Sequence, residues 1–178
     1  LADLMSPAFL EDPRLRRVLP SVLIAWYRGP EGQWFAREVG QSFGGLPPAR
    51  GRQIFQDVQA RGTRAAAQFV REGGRLIFGS DTPSAPTYAN PPGYNGFLEL
   101  EALQAAGIAP RQLLMAATTD AAQIFGLSRD YGTVEAGKVA NLLLLSADPL
   151  ASVSAFDKIE TVVVQGRAFE RATLAAGR

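Results

Sequence analysis

The sequence of 178 residues predicts an α/β fold with a small β element appended near its C-terminal end. Residues from about 51 to 72 carry apolar side chains at spacings of three and four, as an amphipathic helix does. A short apolar run at 76–78, bounded by glycines, follows and is typical of a strand buried in a parallel sheet. Two further apolar runs, at 139–146 and 159–165, predict the strands of the β element.

The segments before the long helix give weaker signals. Prolines divide residues 1–20 into short pieces, which predicts short helical turns. The apolar run at 21–27 is compatible with a helix or with a buried strand, because seven residues do not distinguish the two. Glycines and prolines at 40–50 predict a loop that leads into the long helix.

The segments after the short apolar run alternate between loop and helix. Residues 80–96 contain four prolines and predict a long loop, which serves either a function or a plain surface connection. A helix is expected at 97–106, and Pro110 is expected to open a second helix that ends near Ala117. Asp120 with Gln123 resembles a capping box at the start of a third, short helix.

The composition excludes several kinds of chemistry. The chain contains no Cys and no His, so it has no thiol nucleophile, no imidazole base and no zinc site built from its own Cys and His residues. Lys and Arg number 18 against 17 Asp and Glu, and a net charge of +1 provides no long-range field for nucleic acid or a membrane surface. We therefore expect neither as a partner, and the compartment stays open.

Asp81 is the first candidate for a functional residue. It follows the short apolar run at the end where α/β barrels build their active sites, and a carboxylate there can bind a metal or accept a proton. The alternative is structural, because Asp-Thr-Pro is also a turn sequence in which the carboxylate caps a backbone N–H.

Polar side chains of the long loop are further candidates. Tyr88, Asn90, Tyr94 and Asn95 could contact a substrate, although exposed aromatic residues are common in loops without function. Glu99 and Glu101 lie two residues apart in the following helix and so do not share a face. We expect them to lie on a solvated helix face.

Four stretches in order resemble the metal-dependent amidohydrolase superfamily, and most of all its imidazolonepropionase-like and prolidase-like members. The stretches lie at 74–83 (GRLIFGSDTP), at 96–110, at 116–122 (AATTDAA) and at 132–167, which includes GTVEAGKVANL. The first looks like the eighth strand of the family's barrel with its terminal metal-site Asp. Together the stretches cover residues 74–167, and residues 1–73 correspond by position only.

The resemblance implies the C-terminal part of a (β/α)8 barrel, followed by part of a small β-sandwich. Residues 1–130 would belong to the barrel and residues 131–178 to the sandwich. A complete barrel of this kind takes about 250 residues, so we expect the chain to be the C-terminal portion of a longer protein. Without the missing strands, the apolar strands of the β element would have unpaired edges. The isolated chain should then be poorly soluble or need a partner to fold.

The resemblance also implies a function. The full-length protein would hydrolyse C–N bonds of amides, cyclic amides or dipeptides in a small-molecule substrate, using divalent metal, with zinc favoured, and the chain alone would be inactive. Asp81 would be both metal ligand and proton acceptor, and Tyr88 and Tyr94 would shape the substrate pocket. Homo-oligomers are compatible with this interpretation.

The sequence departs from the family pattern at two points. The histidine ligands and the bridging modified lysine of the family are absent, so only Asp81 matches a metal-site position. Asn141 stands where the family usually carries Asp, in a turn that we interpret as structural. The alternative function is a non-catalytic α/β binding or interaction module in which Asp81 is a turn cap.

Overall fold

The computed structural model describes residues 7–82 and 90–176 and divides into two compact units. Within the described residues, unit 1 comprises 7–63, 81–82, 90–96 and 175–176, and unit 2 comprises 64–80 and 97–174. Helices and strands are both present, which confirms a chain of mixed α and β structure. The predicted boundary at 130/131 stays a prediction.

Unit 1 is helical. Short 3-10 turns at Pro7–Glu11 and Leu15–Arg17 precede α1 (Ser21–Arg28), α2 (Trp34–Ser42) and the first part of α3 (Pro48–Arg71). Five apolar side chains in and between these turns and α1 are buried, namely Leu10, Leu15, Leu19, Ile24 and Tyr27.

The ambiguous run at 21–27 is a helix. Ile24 and Tyr27 are buried, whereas Val22 and Trp26 are exposed. The two buried residues are three apart, as on one face of a helix, and a strand would have buried every second residue instead.

Unit 2 combines helices and a sheet. It holds the end of α3, most of α4 (Asn95–Ala105), α5 (Pro110–Ala117) and α6 (Thr119–Ile124). The four helices agree with the predicted ones to within about three residues at each end. Their core consists of Ala67, Leu100, Ile108, Leu113 and Val153.

The three strands of unit 2 form one antiparallel sheet in the order β1–β2–β3. They are β1 (Leu142–Leu145), β2 (Ile159–Val164) and β3 (Arg167–Glu170). The first two confirm the predicted strands, and the register places Leu143 opposite Val162 and Val162 opposite Phe169. No residue of the three strands is buried, so both faces of this sheet are at least partly exposed.

The third strand was not predicted, because its sequence is polar and only four residues long. Its position follows from the two-residue turn at Gln165 and Gly166, which have φ values of 50° and 79°. Positive φ at both central residues is the geometry of a tight hairpin turn. The Asn141 side chain accepts a hydrogen bond from Gln165 N at 2.8 Å, which agrees with a structural role for Asn141.

Three local predictions were wrong. Residues 76–78 are not a strand, because among the described residues the only backbone partner of this run is Ala116, whose carbonyl accepts from Phe78 N at 3.1 Å. Asp120 does not cap a helix, because α6 already begins at Thr119. Glu99 is not fully solvated, and its burial raises its pKa above the usual value.

No helix in the described part of the chain is both long enough and apolar enough to cross a membrane.

Candidate functional site

Asp81 lies shortly after the end of α3, beyond an irregular segment. The helix ends with Gly73 at a φ of 87°, where Gly74 N donates to Phe69 O at 2.8 Å, and this is the geometry of a glycine cap. Asp81 is exposed. It therefore sits at a point where solvent and small molecules can reach its carboxylate.

The backbone of Asp81 is in the left-handed conformation, with a φ of 47°. Residues other than glycine are uncommon in this conformation, because it brings Cβ close to the carbonyl oxygen at a cost of about 1 kcal/mol. Aspartate is one of the residues that tolerate this conformation best. The cost makes the conformation informative, because neighbouring contacts must maintain it.

Asn90 provides such a contact. Its side-chain Nδ2 donates a hydrogen bond of 2.8 Å to the backbone oxygen of Asp81. The bond joins two residues that stand on either side of residues 83–89 in the sequence. A substrate contact by Asn90 stays a prediction, and the structure places its amide nitrogen against the backbone oxygen of Asp81.

Tyr94 is buried, with 4% of its surface exposed. Its hydroxyl donates to Asp12 Oδ2 at 3.0 Å, and its ring lies 5.3 Å from the guanidinium carbon of Arg14. Phe9 stacks on the same ring at 6.2 Å between centroids. Tyr94 thus fixes the end of the loop to the N-terminal turns of unit 1.

The electrostatics of this contact centre on Asp12. Burial alone would raise its pKa, but hydrogen bonds from Arg14 and Tyr94 outweigh burial and lower the pKa below the usual value. Arg14 donates to both carboxylate oxygens of Asp12 through its Nε and Nη2 atoms, at 3.0–3.2 Å. No pattern in the sequence predicted this pairing, because the prolines of residues 1–20 indicated only short helical turns.

Of the two tyrosines predicted to shape a substrate pocket, the structure describes only Tyr94. Tyr88 lies outside the described residues, and the Tyr94 hydroxyl is bonded to Asp12. A substrate role for either tyrosine stays a prediction.

Unit 2 contains a cavity of about 200 Å³ that does not include Asp81. Arg75 and Asp120 contribute charges to its wall, with 3.8 Å between Arg75 Nη1 and Asp120 Oδ1. Arg75 also donates to Gln123 Oε1 at 2.6 Å. Because the two charges already pair, the cavity offers no net charge to a ligand.

The described residues do not provide a complete metal site. They contain no cluster of three or more His, Cys, Asp or Glu side chains that could hold an ion. Asp81 has the oxygen chemistry of one ligand of a divalent metal, but a single carboxylate does not complete a coordination shell. The residues present therefore do not fit the metal by themselves.

A comparison with protein families gives one match. The model of the family described as "Amidohydrolase family" matches residues 52–169, about two-thirds of the chain. The match includes Asp81, Asn90, β1, β2 and all of β3 except its last residue. No curated protein matches the chain.

Solved structures with a similar fold include three hydrolases. A protein from Bifidobacterium longum assigned as a prolidase is 31% identical, with a TM-score of 0.55, over 73% of this chain and 31% of its own. A Xaa-Pro dipeptidase with bound methionine is 20% identical, with a TM-score of 0.55, over 78% of this chain and 32% of its own. Molinate hydrolase is 18% identical, with a TM-score of 0.52, over 89% of this chain and 32% of its own. The present chain thus spans about a third of the length of these structures.

Proposed function

The chain belongs to the amidohydrolase family, and from this premise we propose that it is the C-terminal part of a hydrolase that cleaves C–N bonds of amides, cyclic amides or dipeptides. The family match carries the proposal, since it covers about two-thirds of the chain and includes the exposed carboxylate of Asp81. The similarity to a Bifidobacterium longum protein assigned as a prolidase favours dipeptides within this class.

Asp81 acts in the proposed reaction as a proton carrier. Hydrolysis of an amide places an oxygen atom from water on the carbonyl carbon and a proton on the leaving nitrogen. The ionised Asp81 carboxylate accepts a proton from the attacking water as the new C–O bond forms. It then donates that proton to the nitrogen as the C–N bond breaks, so Asp81 returns to its ionised form.

The proposal includes a divalent metal, preferably zinc, in the full-length protein. Asp81 would supply one ligand, and the remaining ligands would come from chain outside these 178 residues, because this chain has no histidine. A bound divalent metal lowers the pKa of water and polarises a carbonyl group.

The proposed partner of this chain is the preceding part of the same protein. The sheet of unit 2 has partly exposed side chains on both faces, among them Leu143, Leu144 and Val164. A three-stranded sheet without a covered face has little apolar burial to stabilise it. We propose that the preceding segment covers this sheet, that the chain alone is inactive, and that the full-length protein binds a small molecule and no nucleic acid or membrane. Association of full-length copies is compatible with this arrangement.

The function is tested on the full-length protein with methionylproline, an N-acetyl amino acid and a cyclic amide as substrates. We expect release of the free amine from at least one of them, loss of this activity after dialysis against a chelator, and recovery with Zn²⁺. The isolated chain of 178 residues should release none. Absence of hydrolysis by the metal-loaded full-length protein contradicts the proposal.

A second candidate is a binding or interaction module without catalysis. The left-handed backbone of Asp81 and its bond from Asn90 are also what a structural turn would show. Metal content separates the two functions, since the hydrolase should bind divalent ions at stoichiometric amounts and the module should bind none.

A further inference from the structure

We propose that Asn90 is a positioning residue for Asp81: its carboxamide holds the Asp81 backbone in the left-handed conformation that sets the direction of the catalytic carboxylate. This inference rests on the proposed function, since it assigns Asn90 a task in the same site. It is a role in catalysis that Asn90 performs through Asp81, without contact to the reacting atoms.

The side chain of Asn90 is in direct contact with the backbone of Asp81. Asn90 Nδ2 lies 2.8 Å from the Asp81 oxygen, which is a good distance for a neutral hydrogen bond. An Asp81 with a φ of 47° needs a restraint, because other backbone conformations are more favourable for any residue with a Cβ. Rotation of the Asp81 backbone towards these conformations would turn its carbonyl and break the bond to Asn90.

Asn90 is itself held in place by the residues that follow it. Pro91 follows it, and a residue before proline is restricted to extended backbone conformations. The Pro91 ring is fully buried, and its carbonyl accepts from Asn95 N at 3.1 Å. Tyr94, three residues further on, is tied to Asp12. The donor that reaches Asp81 therefore stands on a fixed part of unit 1.

Gln165 is the residue to compare with Asp81, because it shares the positive φ. Among the described residues other than glycine, only Asp81 and Gln165 have positive φ. Gln165 also has an asparagine side chain on its backbone, from Asn141 at 2.8 Å, but it belongs to a hairpin turn whose own geometry calls for positive φ. In the described part of the chain, no strand pair flanks Asp81, and the contact from Asn90 is a restraint that the structure shows there.

The test uses the full-length protein with Asn90→Asp, Asn90→Ala and the matched control Asn141→Ala. Asn90→Asp keeps the shape of the side chain and replaces the donor by an acceptor. With methionylproline as substrate, we expect both Asn90 variants to lower kcat about 100-fold, as a misplaced catalytic group does, with KM within threefold of wild type. Asn141→Ala should leave kcat unchanged.

A second readout is independent of activity. Selective isotope labelling of aspartate gives the three-bond coupling between HN and Hα of residue 81, which depends on φ. We expect this coupling to change in both Asn90 variants and to stay at its wild-type value in Asn141→Ala. Asn90→Gln keeps the amide, so its kcat should lie between that of Asn90→Ala and that of the wild type. A general loss of stability would not give this partial recovery.

The possible failures are distinguishable. An unchanged coupling in the Asn90 variants, or a changed coupling with wild-type kcat, overturns the positioning role alone, provided that Asp81→Asn is inactive. Full activity of Asp81→Asn overturns the proposed function, and the role of Asn90 in catalysis with it.

Discussion

The surroundings of Asp81 and the hairpin turn at Gln165 show two ways of keeping a residue in a left-handed conformation. At the hairpin, β2 and β3 pair on either side, and the two-residue turn requires positive φ. At Asp81, the described residues form no strand pair, and the conformation depends on a side chain nine residues away. The first arrangement is a consequence of the local fold. The second depends on a longer-range contact, and backbone conformations of this kind are found more often at functional sites.

The two regions also differ in charge. The region of Asp81 is continuous along the chain with Pro91 and Tyr94, which lead to the ion pair of Asp12 and Arg14. The hairpin turn is held by neutral groups, through Asn141 Oδ1 on Gln165 N and Ala140 O on Gly166 N. Acid should therefore affect the first region and leave the second intact.

Substitution of Asp81 should change the activity far more than substitution of Gln165, the other left-handed residue. Asp81→Asn keeps a side chain that tolerates positive φ but removes the proton acceptor, so kcat of the full-length protein should fall at least about 1000-fold. Gln165→Asn makes an equally mild change at the hairpin and should leave kcat within twofold. Initial rates on methionylproline measure both. Equal rates for the two variants would show that Asp81 and Gln165 do not differ in function.

The next effect concerns the anchor of the loop. Tyr94→Phe removes the hydroxyl that donates to Asp12, and we expect the free energy of unfolding to fall by about 1 kcal/mol. Urea denaturation of the full-length protein measures this change. Tyr131→Phe is the matched control, because Tyr131 is exposed, and it should leave the stability within about 0.5 kcal/mol.

At the hairpin, the contact from Asn141 should have a similar but more specific effect. Asn141→Ala removes the acceptor for Gln165 N and should cost about 1 kcal/mol of unfolding free energy. Asn141→Asp keeps an acceptor at that position and should remain within about 0.5 kcal/mol of wild type. Such a result would explain how the turn accepts either residue. A large loss in Asn141→Asp would show that the amide nitrogen matters as well.

The smallest effect is the response to acid. Burial raises the pKa of Asp12, but hydrogen bonds from Arg14 and Tyr94 outweigh burial and hold the folded-state pKa below its ordinary value. The ionised form therefore favours the folded state above about pH 4. This contribution is lost as the pH falls through the lowered pKa. As the pH is lowered, hydrogen exchange should show that the amides of Tyr94 and Asn95 open at a higher pH than the amides of β2 and β3. Tyr94→Phe should move the onset to higher pH, since it removes one of the bonds that lower the pKa.

Much of the fold followed from local patterns. The stripe of the long helix, Pro110 at a helix start and the apolar runs of β1 and β2 were sufficient, because hydrophobic spacing and proline act over a few residues. The run at 76–78 shows where this fails. Its composition suits a strand, but a strand also needs a neighbour, and the described residues supply only the Ala116 carbonyl.

Residue types and the order of motifs, which the chain carries without folding, show that it lacks thiol and imidazole chemistry, make Asp81 the first candidate for catalysis and indicate the amidohydrolases. The left-handed backbone of Asp81, the hydrogen bond from Asn90 to its carbonyl and the bond between Tyr94 and Asp12 are seen only in the folded chain. Those facts depend on contacts between residues up to 82 positions apart, and no local pattern encodes them.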